Sequence, residues 1–127
     1  MKKLICVLAL GLCSVSSFAA ESALKAHSQQ ELEQKLEQST QKHDAEMQAF
    51  LNSIDPKATQ FTSQQSQHFC KITQGLINDM YAVLDQNREL LVEEDRKVTK
   101  QEFITQAVYE APDYQSLQKM GVNCKLK

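Results

Sequence analysis

The sequence predicts an all-α protein: a small bundle of three to four helices with one disulfide and a projecting N-terminal helix. Three observations carry that expectation. Apolar residues recur at steps of three and four, no run alternates apolar and polar residues for long enough to make a strand, and helix start and stop signals flank the periodic segments. With 127 residues, 42% of them apolar, and 14 Lys and Arg against 16 Asp and Glu, the chain can build one small core. A near-neutral balance without a basic cluster lacks the electrostatic footprint of a nucleic-acid binder, so no nucleic-acid partner is expected.

Residues 1–19 read as a secretory signal peptide. Met1, Lys2 and Lys3 give a positive start, Leu4 to Leu12 form an apolar segment too short to span a bilayer, and Ser17 and Ala19 are the small residues that precede a cut after Ala19. Cys13 closes the apolar run, but Leu12 stands where a lipoprotein signal needs a small side chain, so lipid anchoring is not expected. Loss of Lys2 and Lys3 leaves 12 basic against 16 acidic groups. The remaining chain has nothing near the ~20 apolar residues of a membrane helix. Export predicts a periplasmic location and an oxidising environment. The two cysteines left, Cys70 and Cys124, then read as one disulfide, since they have neither C-x-x-C spacing nor an activating neighbour.

Residues 20–46 are expected to be an N-terminal helical extension and 47–127 the disulfide-clamped domain. Of the 29 large apolar residues from Ala20 onward only Leu24, Leu32 and Leu36 fall in the extension, too few for it to bury itself. It is nevertheless rich in Glu, Gln, Lys, Leu and Ala, and Ser28 with Glu31 has capping-box spacing. Leu32, Leu36, Ser39, His43, Met47, Phe50 and Ile54 share one helical face, whose thin upper half is expected to project. Asp55-Pro56 breaks this helix, and the next begins there or at a cap on Thr62 or Ser63. It runs to about Val92 with two adjacent apolar stripes, which marks it as central, and Gly75 within it predicts close approach by another element. Thr99 to Glu102 is a capping box, Pro112 stops the helix that follows, and a last short helix ends at Gly121.

No residues assemble into a catalytic set. There is no G-x-S-x-G, no H-E-x-x-H and no phosphate-binding glycine loop, and the neighbours His43 and Asp44 point about 100° apart on a helix. His43 with Glu46 or Met47 offers two ligands, too few for a metal site, so neither metal nor cofactor is expected. Tyr109 and Tyr114 flank Pro112, a corner that suits helix packing and, because tyrosine favours interfaces, a partner.

Cys70, Tyr109, Pro112 and Cys124 together resemble a pattern in small uncharacterised exported α-helical proteins of Gram-negative bacteria, over residues 70–124. The resemblance implies the same disulfide and helical fold and brings no activity. The expected function is therefore a non-enzymatic interaction protein, an adaptor, accessory subunit or chaperone-like factor. It would bind another periplasmic or envelope protein through Leu32, Leu36, His43 and Met47, with Tyr109 and Tyr114 as a second surface. The alternative is a carrier of a small ligand or metal in a cleft between helices, with His43 and Met47 as first candidates.

Overall fold

A computed structural model describes residues 23–127. The segment read from the sequence as a signal peptide, with Cys6 and Cys13, lies outside the described residues. The described chain is helical, with no strand among those residues, and no helix there is long and apolar enough to cross a membrane. Helix α1 spans Gln29–Asn52, α2 Ser63–Gln86, α3 Lys100–Ile104 and α4 Pro112–Lys119. Short 3-10 turns at Arg88–Leu90 and Asp95–Lys97 carry the chain from α2 to α3, and a π-helical turn at Thr105–Tyr109 continues α3. The disulfide joins Cys70 to Cys124.

Local chemistry sets the boundaries. The Ser28 hydroxyl accepts from the Glu31 N–H at the start of α1, and Thr62 and Gln65 close a reciprocal capping box at the start of α2. Thr99 and Glu102 close a second one before α3. Pro112, which needs no N–H donor, opens α4. At its end Gly121 adopts φ +94°, and the Gly121 and Val122 N–H groups donate to the Gln118 and Leu117 carbonyls. That is a Schellman motif, open to a glycine because no Cβ resists the left-handed backbone.

α1 and α2 form an antiparallel hairpin. Leu32 packs with Val83, His43 meets Asp79, and Phe50 packs against Phe69. The main core lies at the hairpin's closed end, where Phe50, Phe69, Ile72 and Ile77 meet Ile104, Val108 and Tyr114. A smaller cluster at the open end joins Ala26, Leu32 and Val83, with Leu24, Leu36, Leu90 and Leu91 against them.

The expectation that the leading helix projects is corrected here. α1 is packed along α2, and Leu32 is 1% exposed. An extension that cannot bury itself can still be buried by a neighbour: α2, like α1, is 24 residues long and offers an apolar face along that length. The three leucines of residues 20–46 all enter the smaller cluster. Asn87, fully buried just beyond α2, ties the leading segment down. Its amide oxygen accepts from Ala26 N–H, and its amide nitrogen donates to the Leu24 and Val83 carbonyls.

The C-terminal tail is extended and packs on the helices. Val122, Cys124 and Leu126 are buried while Asn123, Lys125 and Lys127 face out, the two-residue period of a strand without a partner strand. Side chains supply the missing hydrogen bonds. The Tyr114 hydroxyl accepts from Cys124 N–H, the Tyr109 hydroxyl donates to Cys124 C=O and accepts from Leu126 N–H, and the Gln74 amide pairs with both backbone groups of Lys127. Tyr114→Phe removes the partner of the buried Cys124 N–H and should cost about 1–3 kcal/mol. A lower denaturation midpoint at unchanged slope would register it; an unaltered midpoint would mean that water replaces the hydroxyl.

Candidate functional site

One cleft of about 610 Å³ opens between the lower halves of α1 and α2. That volume lies within the range of small-molecule sites. The first wall is the α1 face carrying His43, Glu46, Phe50 and Ser53, at steps of three and four; the second is the α2 face carrying His68, Lys71, Ile72 and Gly75. The His68 ring meets Phe50 edge-on, centroids 5.1 Å apart.

His43 is the centre of the arrangement. Its side chain is 8% exposed, and its Nε2 lies 2.8 Å from Oδ2 of Asp79 on α2. A carboxylate only accepts, so Nε2 carries a proton, and in the neutral ring Nδ1 is left as an acceptor. That Nδ1 is buried and has no hydrogen-bond partner. The nearest opposite group is Oε2 of Glu46 at 3.8 Å, too far for a hydrogen bond. The imidazole lies over the bare backbone of Gly75, where a Cβ would come within 2.9 Å of the His43 Cε1. The glycine in the central helix thus marks the close approach its position predicts.

Asp79 also accepts from Lys42 Nζ at 3.1 Å. The His43 hydrogen bond, followed by the nearby Lys42 charge, holds the Asp79 carboxyl below its ordinary value of 3.8, against partial burial that pushes the other way. Glu89, bonded to Lys25, and Glu102, bonded to the Thr99 backbone, are lowered as well. A carboxyl lowered by folding contributes stability that is complete above its unfolded pKa and is lost as pH falls through its folded one. The hairpin should therefore weaken as pH drops below about 4. Asp79→Asn should melt lower than wild type above that pH, and the difference should narrow below it. Parallel melting curves from pH 2 to 7 would show no such convergence if the pair contributed nothing.

The residues expected to form a partner surface are engaged within the fold. Leu32 is buried, Leu36 is half-buried beside it, and Met47 packs on the main core and does not line the cleft. Tyr114 is buried, and both Tyr109 and Tyr114 hold the C-terminal tail. Of that set only His43 lines the cleft. Among the described residues no three His, Cys, Asp or Glu side chains are grouped so as to hold a metal ion.

Sequence reasoning paired His43 with Glu46 and noticed Gly75. It placed Phe50 on the face of His43 but did not find His68 and Lys71 as neighbours of that pair. The spacing 68, 71, 72, 75 was available as one helical face, but placing it opposite 43, 46, 50, 53 needs the antiparallel register of the hairpin, which no local signal encodes. No protein-family model matches the chain, and neither a curated protein nor a solved structure is detectably similar to it.

Proposed function

We propose that this chain is an exported small-ligand binding protein of the periplasm, with the cleft beside His43 as its seat. One observation carries the reading: a buried imidazole nitrogen without a hydrogen bond, on a residue that lines an open cleft. Buried polar groups are nearly always satisfied, and an exception in a cleft of ligand size points to a partner that arrives from outside. Asp79 fixes the tautomer and the ring orientation, so the acceptor is preorganised. The signal-peptide pattern and the disulfide support export. Partner capture by the leading helix has lost its motivation, because the stripe that suggested it is covered by α2.

The test is native mass spectrometry of the protein purified without denaturation from the periplasm, beside ring-nitrogen NMR of His43 during titration with a small-molecule extract of the same cells. A retained mass absent from Glu46→Gln, or a shift of the His43 Nδ1 resonance that saturates, is the expected result. An unliganded mass together with an unmoved His43 resonance would overturn the reading.

A further inference from the structure

We infer that the face around the disulfide docks on anionic phospholipid, as a peripheral contact with a bilayer surface. The inference is independent of the cleft beside His43 and starts from a division of charge. Residues 56–78 and 114–127 hold five lysines and no Asp, Glu or Arg, whereas residues 23–55 and 79–113 hold fifteen acids against seven Lys and Arg. The fold brings the two acid-free stretches together. Cys70 is bonded to Cys124, the Gln74 amide holds Lys127, and the Phe61 N–H donates to the Met120 carbonyl beside Lys119.

A concavity of about 490 Å³ between α2 and the tail gathers Lys71, Lys125 and Lys127, with no acidic side chain in its lining. Lys125 and Lys127 face outward because the tail turns Leu126 in. Asn78 links a further cation to the group: its amide oxygen accepts from Lys100 Nζ at 2.7 Å and from Gln74 Nε2 at 2.9 Å, and that Gln74 nitrogen also donates to the Lys127 carbonyl at 2.8 Å. Among the described residues none of Lys57, Lys71, Lys119, Lys125 and Lys127 takes part in an ion pair, while Lys25 and Lys42 each hold a carboxylate. Glu46 lines the first cleft and Glu102 is held by the Thr99 N–H and hydroxyl, so neither answers these charges.

The kind of cation selects the occupant. A phosphopeptide is gripped by the bidentate fork of arginine, which these stretches lack; lysine, a compact charge on a flexible stem, suits a diffuse field of phosphates. The extended phosphate surface that a chain with this signal-peptide pattern meets on export is the bilayer. Each lysine near an anionic bilayer is expected to raise partitioning about fivefold. The acids elsewhere turn the molecule so that the lysine face leads, and beyond a Debye length of roughly 8 Å their repulsion is screened.

Co-sedimentation of the oxidised protein with vesicles tests this. Phosphatidylcholine vesicles containing phosphatidylglycerol should carry the protein down, vesicles of phosphatidylcholine alone should not, and added salt should release it. Lys125→Gln combined with Lys127→Gln should weaken binding roughly thirtyfold. Lys35→Gln combined with Lys97→Gln removes the same net charge away from this face and should leave binding within about twofold of wild type; a melting curve for each double variant checks that the fold persists. Equal binding to both vesicle types, binding to neither, or equal losses in the two double variants would overturn the docking face. Capture by immobilised polyglutamate without sedimentation on the anionic vesicles would assign the lysines to an acidic polypeptide and overturn the bilayer as their partner.

Discussion

Reduction of the Cys70–Cys124 bond, or the double substitution Cys70→Ser with Cys124→Ser, should lower the melting temperature by roughly 15–20 °C, the shift expected for about 4 kcal/mol in a domain of this size. The bond spans 54 positions, and the energy comes from denying that long loop to the unfolded chain. The folded side adds a second reason. Cys124 is the middle one of three tail residues that point inward, and it sits between the two backbone groups held by Tyr114 and Tyr109. Without the crosslink the extended tail depends on hydroxyl and amide bonds that water can replace. Thermal melts of oxidised and reduced protein, with amide exchange at Val122, Cys124 and Leu126, separate the two contributions. Loss of protection confined to the tail would mark a local release, whereas a melting point moved by only a few degrees would show that the tail's side-chain ties suffice.

The helical class, the capping boxes and the disulfide were legible because each is written in local spacing or in a count of two cysteines. Thr99 with Glu102 specifies its cap within four residues, and the structure realises it, whereas Thr62 was one of three candidate starts and the structure selects it through Gln65. Other features depended on which element faces which. Three leucines in residues 20–46 look too few to fold, and are too few, until Val83, Leu90 and Leu91 arrive from 50 residues away. The tail shows a different kind of oversight. Val122, Cys124 and Leu126 alternate with Asn123, Lys125 and Lys127, a strand-like period that is visible in the sequence but too short to assign without knowing that Tyr109, Tyr114 and Gln74 would satisfy its backbone. The cleft was half legible: His43, Glu46 and Gly75 each drew notice, while Asp79, which turns the imidazole, carries no sequence signal that separates it from any other helical aspartate.

Asn87→Leu should destabilise the protein by about 3 kcal/mol or more, because it strips partners from two buried backbone groups and a third that is partly buried. Leucine keeps the branching of asparagine with bulkier methyl ends, so the loss combines missing hydrogen bonds with overpacking of a fully buried site. The Ala26 N–H and the carbonyls of Leu24 and Val83 would all lose the Asn87 amide, which is 0% exposed. Asn87 thereby does for the open end of the hairpin what the disulfide does for the closed end. It joins the segment before α1 to the end of α2 and completes the small cluster of Ala26, Leu32 and Val83. The consequence should be spatially graded. Amide exchange in Asn87→Leu should accelerate most near Ala26 and Leu32, while Ile72 and Ile104 in the main core keep their protection. A uniform acceleration across both clusters would instead show that the hairpin opens only as a whole, and that its leading half is as much a part of the core as its base.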